Sequence, residues 1–156
     1  MISSDLSAQC GSPMDSLPRE ETVGAFRQTL RKSEILSGRG TFNVILAKGR
    51  RIQGDHVCVY VLPVDAEFNR GMPVRVGFAV SRKVKSAAER NRVRRLMREG
   101  YRRNKGGLIH FAREKNRYFS LVLLYRENES TDIRRLELRD MEEAIRKTLE
   151  RVLSSQ

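Results

Sequence analysis

Arg82, Lys83, Arg90, Asn91, Arg92, Arg94, Arg95, Arg98 and Arg102 fall within one stretch of this chain, residues 82–102. A guanidinium presents a planar fork of donors that matches phosphate oxygens and base edges, so this grouping suits a polyanion. Cutting a phosphodiester would ask for something else: clustered carboxylates that hold metal ions, or a pair of histidines for acid–base work. The chain has only His56 and His110, far apart in sequence, and its acids gather near the carboxyl end. No residue stands out as a nucleophile. The chemistry legible here is gripping, not cleaving.

The element that must carry the arginines is a helix. Val93, Leu96, Met97 and Gly100 recur at i, i+3, i+4 and i+7, a core-facing stripe. Arg90, Arg94, Arg98 and Arg102 then form one advancing row, with Asn91 and Arg95 beside it and Arg92 and Arg103 further round. An ordinary solvated helix mixes Glu with Lys or Arg so that neighbours attract, whereas this row repels itself. Phosphates would neutralise it. Residues 103–107 (RNKGG) predict the helix exit, with His110 in a polar linker beyond.

Strands and further helices surround that element. Phe42, Ile45 and Leu46 predict a short helix, with Thr41 as its cap and Gly49 as its stop. Residues 56–62 (HVCVYVL) read as a strand ending at Pro63, with Val57, Val59 and Val61 on one face and Cys58, Tyr60 and Leu62 on the other. Residues 63–73 read as a loop. Val74, Val76, Phe78 and Val80 alternate with Arg75, Gly77, Ala79 and Ser81, predicting a half-buried strand. Residues 118–125 (YFSLVLLY) are apolar nearly throughout, as in a central strand. Ser130, Thr131 or Asp132 would cap a last helix whose apolar face is Leu138, Met141, Ile145, Leu149 and Val152. Glu142–Arg146 and Glu143–Lys147 are favourable i,i+4 pairs on it. The reading is an α+β chain, a two-layer α/β sandwich in the order αββαβα, or αβββαβα if the first strand is split.

Composition sets the bounds. The 156 residues carry 31 Lys+Arg against 19 Asp+Glu, a net charge of +12, and nine of those twelve charges lie in residues 82–105. Such concentration points to nucleic acid or an anionic membrane surface as partner. No run approaches the ~20 apolar residues of a membrane span. No secretory signal is apparent, and Cys10 and Cys58 are too few for a disulfide framework or zinc site, so a cytoplasmic location is expected. Cys58, inside an apolar run, reads as a small buried hydrophobe. Residues 1–24 are rich in Ser, Gly, Pro and acids and read as a disordered tail, residues 25–153 as the domain, and 154–156 as a carboxyl-terminal tail. The residues alone leave DNA, RNA and ribosomal settings open.

Residues 77–102 (GFAVSRKVKSAAERNRVRRLMREGYR) closely resemble the signature of the bacterial ribonuclease P protein family. The match is a strand ending in Arg82-Lys83, then a short link into Arg90, Asn91 and Arg92 with Arg95 and Arg98 following. It extends more loosely from about Leu30 to Leu153. The resemblance implies a left-handed βαβ crossover, where the usual rule predicts right-handed ones. It implies that Arg82, Lys83, Arg90, Asn91, Arg92, Arg95 and Arg98 bind a catalytic RNA; Arg94 and Arg102 join them from the helical row.

The resemblance also implies a cleft between the first helix and the sheet that holds the single-stranded 5′ leader of precursor tRNA. Phe42 and Tyr60 stand at its aromatic positions, and Leu46 at a third position that is often aromatic; Cys58 is grouped with them. Stacking of unpaired bases on rings tolerates any sequence. The implied activity is endonucleolytic removal of the leader, leaving a 5′-phosphate, carried by the RNA with magnesium held mainly there. No catalytic protein residue, membrane contact or stable protein partner is expected. A general RNA-binding or ribosomal protein of similar fold is the alternative, and a metal-dependent protein endonuclease a more distant one.

Overall fold

The computed structural model describes residues 29–127 and 132–156, and one four-stranded sheet organises them. Its strands are β1 (Arg50–Gln53), β2 (Val57–Val64), β3 (Val74–Val80) and β4 (Tyr118–Tyr125), in the spatial order β1-β2-β4-β3. β1 and β4 both run antiparallel to β2, while β3 runs parallel to β4. β4 is therefore flanked on both sides, which its continuous apolar sequence demands. The split first strand is the version observed, with β1 and β2 forming a hairpin.

Among the described residues four α-helices accompany the sheet: α1 (Arg39–Lys48), α2 (Ala87–Asn104), α3 (Gly106–Glu114) and α4 (Leu138–Ser154). Val57, Val59 and Val61 of β2 meet Val93, Met97 and Tyr101 of α2, Leu108 of α3, and Met141, Ile145 and Leu149 of α4 in the main core. Tyr60 and Leu62 point the other way and join Ile45, Phe42 and Leu46 of α1 around Val122. The expected layering thus holds for α2 and α4, and α3 joins them, while among the described helices α1 crosses the opposite face.

Several local expectations are corrected. Thr41 lies inside α1, whose N-cap is Gly38; Gly49 does stop the helix, its N–H donating to Ile45 O at 2.7 Å. β2 runs on through Pro63 to Val64. β1 begins opposite Val61, so one side of β2 past that residue is an open edge, where a sheet tolerates proline. β3 is buried on both faces at its start, Arg75 and Gly77 included, because Leu36 N–H pairs with Val76 O along the outer edge and α1 reaches over Gly77. Residues 106–114, read as a linker, form α3, which buries Leu108, Ile109 and Ala112. Asp132 caps the short turn at Ile133–Arg135, and Glu137 is the N-cap of α4. Ser130, Thr131 and residues 1–24 lie outside the described residues.

Two polar locks fix the frame. Asn69, fully buried in the loop before β3, donates to Phe119 O at 2.8 Å and accepts from Ser120 Oγ at 2.6 Å. Lys105, at the α2–α3 joint, bonds Glu34 at 2.7 Å and Thr29 O at 2.7 Å, with both side chains nearly excluded from solvent. Removing one partner of such a pair strands the other charge. Lys105→Met is expected to cost about 3–5 kcal/mol in urea denaturation. Adding Glu34→Gln, which keeps the acceptor for Arg31 N–H, should restore more than half of that loss. A Lys105→Met protein of undiminished stability would show the pair to be idle.

Candidate nucleic-acid interface

α2 is built to hold its arginines still. Ser86 caps it, accepting from Glu89 N–H at 3.4 Å, and Val93, Met97, Gly100 and Tyr101 bury its inner stripe. Tyr101, which the apolar spacing alone did not reveal, stacks edge-on against Phe78 with ring centres 5.9 Å apart. Burial and then the nearby Glu34 charge push its hydroxyl well above the ordinary tyrosine range, so it stays neutral. Gly100 sets the closeness of the contact with α4. A Cβ there would stand 2.9 Å from Ile145 Cδ1 and 3.3 Å from Glu142 Cα.

The arginines divide by what they touch. Arg90 donates to the carbonyls of Val84 and Lys85 at 2.8 and 2.7 Å, which fastens the link after β3 to the helix start. Arg92 donates to Leu136 O at 2.9 Å across the helix pair. Arg94 reaches Asn91 Oδ1 at 3.4 Å. Arg102 is paired with Glu99 at 2.8 Å, and that hydrogen bond holds the Glu99 carboxyl below the usual carboxylate range. Arg82, Lys83, Arg95 and Arg98 are exposed and make no side-chain hydrogen bond or ion pair among the described residues. The row is therefore not uniform: its ends serve the fold, and Arg95 and Arg98 stand free.

On the far side of the sheet, α1 packs over β2 and β4, and its seam with the sheet is where the sequence places the leader-binding residues. Phe42, Leu46 and Tyr60 are all half-buried there. Phe42 lies directly on β3: a Cβ at Gly77 would come within 2.5 Å of its ring, so only glycine lets the ring settle there. Cys58, grouped with these residues from the sequence, is 1% exposed and sits beneath the surface. Its sulfur accepts from Arg51 Nε at 3.2 Å. Arg51, opposite Tyr60 in the β1–β2 register, is an exposed cation beside it. Sequence reasoning missed it because four residues are too short for a strand period; only the hairpin register brings it beside Tyr60.

The histidines do not meet. His110 is exposed on α3, 3.9 Å from Glu114, and His56 lies just before β2. Among the described residues no group of three or more His, Cys, Asp or Glu side chains is arranged to hold a metal ion. Glu143–Lys147 forms as read, at 3.1 Å, but Glu142 pairs with Arg103 at 3.3 Å and Arg146 with Glu150 at 2.9 Å, because α4 packs against α2. No helix among the described residues is long and apolar enough to cross a membrane.

Residues 30–152 match the ribonuclease P family as a whole. The chain belongs to that family. A ribonuclease P protein component of Desulfovibrio desulfuricans is 47% identical over 64 residues, 41% of this chain and 47% of that protein. One from Alkaliphilus metalliredigens is 38% identical over 65 residues, 42% and 54% respectively. The matched stretch thus spans about half the length of these relatives. The ribonuclease P protein of Thermotoga maritima superposes with a TM-score of 0.59 at 28% identity, covering 76% of this chain and 96% of that one. That of Staphylococcus aureus superposes at 0.54 and 17% identity, covering 76% and 94%, a likeness of fold.

The division of the arginines predicts opposite effects on stability. Arg90→Gln removes two bonds to backbone carbonyls and should lower unfolding free energy by about 1–2 kcal/mol. Arg95→Gln with Arg98→Gln should change it by no more than about 0.5 kcal/mol, or raise it by relieving repulsion. Thermal denaturation of the three proteins checks this. A large loss from the Arg95/Arg98 pair would mean that those side chains serve the fold.

Proposed function

We propose that this chain is the protein subunit of a ribonuclease P ribonucleoprotein, binding a catalytic RNA through α2 and the 5′ leader of precursor tRNA through the α1–β2 seam. The observation that carries the reading is a rigid helix that spends Arg90 and Arg92 on its own frame yet leaves Arg95 and Arg98 exposed without partners among the described residues. Unpartnered guanidinium groups of one sign gain most from a phosphate backbone. Arg82 and Lys83, exposed just after β3, extend the same surface. Family membership supports the identity of the RNA partner.

The seam has the other chemistry. Phe42 and Tyr60 offer partly open rings for stacking, Leu46 an aliphatic wall, and Arg51 a cation for the passing backbone. Such a site binds unpaired nucleotides without demanding a sequence, which fits a substrate whose leaders vary. The protein's part is then affinity and screening: it brings two polyanions together and lowers their repulsion. In this reading hydrolysis belongs to the RNA, with magnesium held mainly there. The setting is cytoplasmic, with no stable protein partner.

Purified protein should stimulate leader removal by a bacterial ribonuclease P RNA at low magnesium, relative to that RNA alone. No stimulation would overturn the reading; cleavage by the protein alone, after stringent RNA removal, would replace it with a protein endonuclease. Tyr60→Ala should weaken precursor-tRNA binding by the holoenzyme by about 1–3 kcal/mol, the worth of one stacked base. Mature tRNA, lacking the leader, should bind as before. Equal losses for both ligands would reduce Tyr60 to a packing residue.

A further inference from the structure

A cavity of about 480 Å³ opens between the segment preceding α1 and the loop preceding β3. It lies at the outer edge of β3, on the sheet face that α1 crosses. Lys32, Arg70 and Arg75 line it together with Ser33 and Ser37, and no carboxylate is among its lining residues. Glu34, the nearest acid along the chain, is engaged instead by Lys105 and the Arg31 N–H.

Arg75 is the unusual member. Only 6% of it is exposed, an uncommon degree of burial for a guanidinium. Its Nη2 donates to Ile35 O at 3.1 Å, but its Nε–H is buried with no partner among the described residues. A buried charged donor without an acceptor costs free energy, and such exceptions ask for a cause. Burial first, and then the Arg70 charge, hold the guanidinium below its ordinary value. An anion in the cavity would relieve both.

The backbone that carries the other cations is anchored, while their exposed side chains can reach into the cavity. The loop bearing Arg70 is pinned to β4 by Asn69, and Arg70 itself adopts a left-handed backbone conformation, φ 53°. Lys32 sits in a short 3-10 turn whose capping box ties Glu34 to Arg31. A neighbouring depression across Met72 adds Arg31 and Arg117, again with no carboxylate in its lining. Two adjoining acid-free basic hollows describe a track, well apart in sequence from the arginines of α2.

We infer that the Lys32–Arg70–Arg75 cavity is a phosphate-binding pocket, separate from the arginine helix and from the aromatic seam. Arg75 supplies the preorganised fork, Lys32 and Arg70 the balancing charge, and Ser33 and Ser37 hydroxyl donors at the rim. The phosphate belongs either to an RNA backbone passing the edge of β3 or to a free phosphate. The RNA source rests on the ribonuclease P reading; the pocket itself does not.

The full chain is titrated with inorganic phosphate, with chloride at matched ionic strength as control, while the Arg75 Nε–H signal is followed by NMR. A saturable shift specific to phosphate is expected. In a Lys32→Gln/Arg70→Asn variant, which spares Arg75 and keeps a residue tolerant of positive φ, binding should weaken about tenfold. The same variant is then tested against catalytic RNA and precursor tRNA. A comparable loss assigns the pocket to an RNA backbone; unchanged RNA affinity assigns it to free phosphate. An Arg75 signal that does not saturate with phosphate, or equal phosphate affinity in the variant, would overturn the pocket, whatever the cleavage assay gives.

Discussion

Like charges packed on one helix repel, and the fold is arranged around holding them together. α2 can carry its guanidinium groups only because its other side is locked: Val93, Met97 and Tyr101 fill the core, and Gly100 lets α4 approach to contact distance. That packing supplies the free energy that opposes the repulsion. Part of the charge is then absorbed locally, by carbonyls for Arg90 and Arg92 and by Glu99 for Arg102. What remains is presented outward from a well-packed helix, where a polyanion neutralises the repulsion.

The sheet separates two kinds of recognition. Among the described residues one face carries α2, α3 and α4 and, beyond them, the exposed arginines; the other carries α1 and half-buried rings. β2 connects the two, since its valines feed the main core while Tyr60 and Leu62 look into the α1 side. Strand alternation thus lets one eight-residue strand both support the basic helix and floor the seam with α1. Gly77 does the same from β3, where absence of a side chain makes room for Phe42.

Much of this was legible in the sequence, and the misses have physical causes. The alternation in β2 and β3, the apolar run of β4 and the stripe of α2 are periodic signals long enough to read. α3 was hidden because Gly106 and Gly107 look like a terminus, yet a second helix starts at once and buries Leu108 and Ile109. β1 was hidden by its length, and Arg51 with it. Cys58 shares the parity of Tyr60 but is covered, because period gives the face and not the depth. Arg75 carries the same lesson in reverse: strand alternation marked it as outward, and the neighbouring segment buried it. The family resemblance rested on spacing within residues 77–102, and the chain indeed falls in that family.

The salt dependence of catalytic-RNA binding tests the central claim most directly. Each guanidinium that neutralises a phosphate should contribute about one unit to the slope of log affinity against log salt. Wild-type protein and the Arg95→Gln/Arg98→Gln variant, compared from low to moderate salt, should therefore differ in slope by about two. Parallel lines for the two proteins would contradict direct phosphate contact by the exposed arginines of α2.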